Sequence, residues 1–101
     1  MLGASYKRGV GDIRESPALK IMELLLARGA DVVYHDPYVP ELSGLGLRSV
    51  ELAEGLDGAD LAVIVTAHPG VDHEAVAASA PLVVDFRGVT RHLKAAGVVQ
   101  L

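Results

Sequence analysis

Cysteine is missing from all 101 residues. That removes disulfides, thiolate metal sites and thiol nucleophiles together. Tryptophan is missing too, and one phenylalanine and three tyrosines supply the whole 4% aromatic content. A chain that is half apolar with so few rings suits a layered α/β structure better than a β-sandwich. No apolar run approaches the length of a membrane span and no stretch reads as a signal peptide, so no membrane partner is expected and a cytoplasmic location is. Positive charge is also scarce. Nine Lys and Arg against thirteen Asp and Glu leave a formal net charge of −4, which argues against nucleic acid as a partner. The four histidines (His35, His68, His73 and His92) show no metal-ligand spacing, so no metal site is expected. At this length residues 1–101 read as a single domain with a real core.

Against that background one stretch stands out. Residues 3–17 hold Lys7, Arg8 and Arg14, a third of all the cationic side chains. A basic loop on an anionic chain focuses its field on anions. Gly3, Gly9 and Gly11 permit positive φ or close approach to a ligand. Ser16-Pro17 reads as a helix start, with serine as N-cap and proline in the first turn. A strand end, a basic loop and a helix N-terminus in succession suit a phosphate group. Solvated turns carry the same residue types for simpler reasons, and both readings stand. Neither Gly9-Val10-Gly11 nor Gly44-Leu45-Gly46 reaches a third glycine at dinucleotide-fingerprint spacing, and no Walker pattern occurs.

Periodicity orders the rest. Residues 1–3 start a first strand. Residues 17–28 form a helix with Ala18, Ile21, Met22 and Leu25 on one face, widened by Leu24 and Leu26 and stopped by Gly29. Residues 31–35 make a second strand, residues 37–48 a loop and residues 49–56 a weaker helix. The apolar run at residues 61–65 is a third strand, buried on both faces. A helix capped by Asp72 follows, reaching residue 78, then a strand at 82–84, a short helix at 89–95 and a last strand at 98–100. Alternation of this kind predicts a parallel sheet covered on both faces, a three-layer α/β/α sandwich.

Three blocks then carry a family resemblance. Leu2-Gly3-x-x-Tyr6-Lys7 with Asp12-x-Arg14-Glu15-Ser16-Pro17-Ala18 resembles the opening of the C-terminal domain of the UDP-glucose/GDP-mannose dehydrogenase family. Tyr34-His35-Asp36-Pro37-Tyr38-Val39-Pro40 and Val84-Asp85-Phe86-Arg87 fall where that family has its next signatures. The resemblance implies a Rossmann-like, five-stranded parallel sheet of order 3-2-1-4-5. The expected crevice then lies between the first strand and the strand at 82–84, where Tyr6-Lys7 and Arg87 emerge.

The resemblance also implies roles. Lys7 and Arg87 contact a UDP-sugar, Tyr6 packs against it, and Arg14 reaches an NAD held mainly by a preceding N-terminal domain. For Tyr6 a core aromatic, and for Arg14 pairing with Asp12 or Glu15, are the plainer readings of the residues alone. Asp12 and Glu15 flank a helix start, where carboxylates need no catalytic role. Phe86 and Gly88 depart from the Thr and Asn common at these places. Family enzymes oxidise the C6 alcohol of a nucleotide-linked hexose to the acid, using a cysteine of a central domain. Lacking cysteine, this chain has no catalytic residue of its own and should be inactive alone. It is expected to be the nucleotide-sugar-binding domain of a larger, homo-oligomeric dehydrogenase. The Asp-Pro-Tyr-Val-Pro run is most similar to members acting on UDP-N-acetylglucosamine or UDP-N-acetylmannosamine. The rival reading is a stand-alone nucleotide-binding or scaffold module without catalysis. A receiver-like phospho-acceptor is disfavoured, because Tyr6-Lys7 stand where clustered carboxylates would be needed.

Overall fold

The computed structural model describes the chain apart from residues 6–8, 10, 15, 93–96 and 101 and the side chain of residue 100. Helix α1 (Pro17–Ala27) starts as the sequence predicts, with Pro17 in the first turn and the Ser16 side chain accepting from the Ala18 amide. Its Ala18 and Met22 are fully buried, while Leu24, which widens the apolar face in the sequence, is half-exposed.

Residues 37–48 are not the plain loop expected. They contain an antiparallel hairpin, β1 (Glu41–Leu42) and β2 (Leu47–Arg48), around a short 3₁₀ turn. Pro40, Gly44 and Gly46 punctuate it, which is why the stretch reads as loop. Helix α2 is only Leu52–Leu56. The residues expected to open it are extended, because Ser49 pairs in parallel with Tyr34. Strand β3 (Ala62–Ile64), helix α3 (His73–Ser79) with Asp72 as N-cap, strand β4 (Val83–Asp85) and strand β5 (Val98–Gln100) complete the chain. Residues 89–92 form a turn rather than the start of a helix, and 93–95 lie outside the described residues.

Strands β3, β4 and β5 form a parallel sheet in that order. Leu2 extends it, pairing in parallel with Ile64 on one side and His35 on the other. This corrects the expected five-strand order. Residues 1–3 do not border the strand at 82–84, because both of their edges are taken. On one edge Leu2 N–H donates to Val63 O at 2.7 Å, and Val65 N–H donates to Leu2 O at 2.9 Å. On the other, Gly3 N–H donates to His35 O at 3.0 Å. The lateral sequence is therefore Ser49, residues 34–35, Leu2, β3, β4, β5, and the winding reverses between Leu2 and β3.

Alternation along β3 splits the core. Val63 and Val65 join Ala4, Tyr34, Ala18 and Met22 on the α1 side. Ala62 and Ile64 join Leu2, Val76 and Val83 on the other, with Leu52 and Leu56 of α2 packed against them. Helices therefore cover both faces. Tyr34, Met22 and Ile64 are the largest fully buried side chains, so small residues set the layer spacing. Among the described residues no helix is long and apolar enough to cross a membrane.

Gly3 lies where the first strand turns into the loop, and two constraints fix its identity. Its φ is +88°, and a Cβ there would stand 2.4 Å from the Thr66 carbonyl oxygen. Gly29, with φ of +85°, has open space around it. Gly3→Ala should therefore cost about 2–4 kcal/mol in urea denaturation, against about 1 kcal/mol for Gly29→Ala. Equal losses would show that Thr66 yields to the added methyl.

Candidate functional site

The carboxyl ends of the strands gather buried polar groups on an apolar frame. Asp36, just past the 34–35 segment, is fully buried. Its Oδ2 accepts from the Ala4 and Ser5 amides at 2.7 and 3.1 Å. The same oxygen lies 2.8 Å from His68 Nε2, and Oδ1 accepts from the Tyr38 amide at 2.8 Å. A buried carboxylate is tolerable only when donors replace the lost water, and four do so here.

His68 follows β3 and is 2% exposed. Gly9 N–H donates to its Nδ1 at 2.9 Å. Nδ1 therefore carries no proton, and Nε2–H is the donor to Asp36. Tyr38 lies over the ring, with centroids 4.6 Å apart. Ser5 Oγ is 2.9 Å from the same Nε2. A serine, a histidine and an aspartate thus meet, but Ser5 and Asp36 share one ring nitrogen. A nucleophilic relay needs them on opposite nitrogens. The cluster holds chain segments together instead. Thr66 adds to it by donating from Oγ1 to the Ser5 carbonyl at 2.8 Å.

A second buried carboxylate organises the turn after β4. Asp85 Oδ1 accepts from the Arg87 and Gly88 amides at 2.9 and 2.8 Å. Its Oδ2 accepts from the Thr90 amide at 2.9 Å and the Thr90 hydroxyl at 2.6 Å. Arg87, exposed, reaches back across the sheet, and its Nε–H donates to Val65 O at 2.6 Å. The corrected strand order separates β4 from Leu2 by one strand, and this bond brings the guanidinium to the end of β3, beside the reversal. No carboxylate pairs with Arg87 among the described residues.

Arg14 is held differently. Its Nε and Nη2 donate to the two Asp12 oxygens at 3.1 and 2.9 Å, the plainer of its two sequence readings. The pair is exposed, and the hydrogen bond and charge of Asp12 raise the Arg14 pKa. Tyr6 and Lys7 lie outside the described residues, between Ser5 and Gly9. Of the predicted site residues, the structure therefore brings Arg87 to the end of β3 beside the reversal and leaves Arg14 on an exposed ion pair. Asp36 reads from sequence as part of a rigid strand exit and His68 as a turn residue, yet they are the hub. An aspartate directly after a strand and before proline is a signal for amide capping. Its partners, 32 residues away in each direction, leave no local trace.

Three groups in or near this end are displaced from their usual pKa. Burial raises the Tyr34 phenol, and the Asp36 charge adds to it. Tyr34 keeps its proton and donates it to Val39 O at 2.8 Å. For Asp85 burial works against the charged form, but the Thr90, Arg87 and Gly88 donors outweigh it and the pKa falls below the carboxylate range. Burial lowers His73, the first residue of α3, with Asp85 and Asp72 opposing in part. His73 Nε2 has no hydrogen-bond partner among the described residues.

With this geometry in place, comparison with known proteins is direct. The model for the UDP-glucose/GDP-mannose dehydrogenase family, UDP binding domain, matches residues 1–92. The chain is 33% identical over 96 residues to the UDP-N-acetyl-D-mannosamine dehydrogenase of Pyrococcus horikoshii, a match covering 90% of this chain and 22% of that protein. It is 36% identical over 70 residues to the UDP-glucose 6-dehydrogenase AglM of Haloferax volcanii, covering 65% and 16%. The solved structure of the Pyrococcus horikoshii UDP-D-ManNAc dehydrogenase superposes with a TM-score of 0.73 at 31% identity, over 98% of this chain and 23% of that one. The chain thus spans about a fifth of the length of these relatives.

The titrating groups set a stability profile. Both Asp85 and His73 have folded-state pKa values below their unfolded ones. The unfolded chain therefore takes up protons first as pH falls, and stability is lost in that direction. The His73 contribution is complete above roughly pH 6.5, and that of Asp85 above roughly pH 4. The stability of the wild type relative to His73→Gln should therefore decline as pH falls below 6.5, measured as urea midpoints from pH 8 to 5. A difference that stays constant over that range would refute the assignment.

Proposed function

This chain belongs to the UDP-glucose/GDP-mannose dehydrogenase family, and from that premise we propose that it forms the nucleotide-sugar-binding domain of an NAD-dependent UDP-sugar 6-dehydrogenase. The substrate is a UDP-N-acetylhexosamine or a UDP-hexose, oxidised at C6 to the uronic acid. The observation that carries the reading is Arg87, a planar fork with no carboxylate partner among the described residues, tethered by Nε to Val65 O at the sheet's reversal. Open α/β sheets take ligands at such a point. A guanidinium there suits the paired oxygens of a diphosphate. Lys7, between Ser5 and Gly9 in the sequence, is the second cation of this reading, with Tyr6 beside the sugar nucleotide.

The oxidation itself belongs to the rest of the enzyme. With no cysteine and no dinucleotide fingerprint, this chain supplies neither a thiol nor an NAD fold. Arg14 alone offers the cofactor a contact, at an exposed edge and at the expense of its pairing with Asp12. The role of this domain is to bind and orient, so that remote binding energy on the nucleotide fixes the reacting carbon elsewhere. The partners are the N-terminal and central domains of the parent enzyme, which is a cytoplasmic homo-oligomer in this reading.

Titration of the chain with UDP and GDP, followed by backbone amide shifts, tests this. UDP should bind weakly, because the other wall of the site belongs to the other domains, and shifts should centre on residues 4–11 and 65–88. Lys7→Ala and Arg87→Ala should each lower the affinity about tenfold or more, as loss of a charge-assisted contact does. Arg48→Ala, paired with Glu41 on the hairpin, should leave it unchanged. Nanomolar affinity for the chain alone, or shifts confined to the opposite end of the sheet, would count against the reading.

A further inference from the structure

Half of the sheet is covered on one face only. Val83 lies in the core on the α3 side, so by alternation Asp85 shares that side while Leu82, Val84 and Phe86 take the α1 side. Phe86 is still in the ladder, since its N–H donates to Ile64 O at 3.0 Å. Ala62 and Val98 also pack on the α3 side, which turns their neighbours Leu61 and Val99 to the α1 side. Val84 packs against the α1-side core, whereas Leu61, Leu82, Phe86 and Val99 are between 39% and 45% exposed. The cause is topological. Crossovers between parallel strands are right-handed. Helix α1 leads from Leu2 to residues 34–35, and after the reversal α3 leads from β3 to β4 over the opposite face. The crossover helices α1 and α3 therefore leave the α1 side of β4 and β5 bare. Yet Leu82, Val84, Phe86 and Val99 are all apolar, and parallel strands that read apolar on both faces are buried on both.

We propose that this strip is a docking face, and that its occupant is an amphipathic helix from the part of the parent dehydrogenase outside these residues. The inference rests on the reading of this chain as one domain of a larger enzyme, whose relatives it spans by about a fifth. Bare faces of parallel sheets are closed by helices. Two strands make a strip about 10 Å wide, the width of one helix lying beside α1. Residues 82–86 make it about 15 Å long. The strip is thus on the order of 150 Å² in projection, against the roughly 800 Å² that each partner gives to a stable dimer. That disfavours a second copy. A helix in the same polypeptide needs less area, because its tether keeps its effective concentration high. Phe86 adjoins Arg87, so an occupant of the strip borders the crevice.

Hydrogen exchange in the 101-residue chain and in the full-length parent enzyme tests this. Leu82→Lys and Val99→Lys place an ammonium on the strip. Val33→Lys places one at an equally exposed site on the opposite face, since Val32 and Tyr34 pack on the α1 side. In the 101-residue chain all three should leave exchange of the β4 and β5 amides close to wild type. In the parent, Leu82→Lys and Val99→Lys should speed it about tenfold or more, as an unpaired charge under a helix does, together with exchange in one helix outside these residues. Val33→Lys should not. If the parent carrying Lys does not fold, Val99→Ala decides by the same comparison. A parent that tolerates the strip variants as the short chain does would refute the docking face. A 101-residue chain that sediments as a dimer, and as a monomer with Val99→Lys, would make a second copy the occupant and overturn the helix. A gene encoding nothing beyond these residues would instead refute the dehydrogenase reading, and this inference with it.

Discussion

The Asp36 carboxylate is the constraint around which this end of the molecule is built. A charge taken fully out of water must recover its solvation from the protein. Asp36 recovers it from the start of the loop after residues 1–3, from its own turn at Tyr38 and from the imidazole beyond β3. Three segments that meet nowhere else in sequence are thereby forced to one spot. The arrangement also explains why the polar cluster is buried so completely. Loss of any one donor would leave the carboxylate short, so the ends of the strands stand or fall together.

Asp85 repeats the device three positions across the sheet. Each aspartate ends its parallel segment, and each accepts amides from the turn that follows. Asp36 ties down the Ala4 and Ser5 amides, and Asp85 shapes the turn bearing Arg87. Arg87, the exposed cation proposed for the nucleotide, is thus set on a turn organised by a buried anion that does not pair with it. Such separation keeps Asp85 from competing for the guanidinium on its own turn. Arg14 shows the opposite case, since its carboxylate is exposed and takes the guanidinium itself.

Much of the fold was legible. Ser16-Pro17 announced α1, the β-branched run around Ala62–Ile64 announced a buried strand, and Asp72 announced α3. These signals are local, carried by capping chemistry and side-chain periodicity. The misreading of the strand order has one origin. Ser49 looked like a helix start but serves as a bridge residue, and its hydroxyl accepts from the Asp36 amide. Missing that short parallel segment shifted every later strand by one position in the expected order. The strand beside Leu2 was thereby taken to be the one at 82–84. Two-residue pairings leave almost no periodicity to detect, whereas backbone hydrogen bonds settle them at once. Arg87 stands in a recognisable block, whereas the buried hub left no such mark in the sequence. Asp36 and His68 are defined by partners that only the tertiary structure brings near.

Leu2 sits in mid-sheet, although its neighbour β3 is translated much later, and the bond from Gly9 to His68 joins residues 59 apart. Non-local pairing of this kind is slow, because chain entropy is spent before any contact rewards it. On a ribosome, Gly9 would leave the exit tunnel long before the histidine that accepts from its amide. The central strand would wait with both edges bare, a natural moment for a chaperone to intervene.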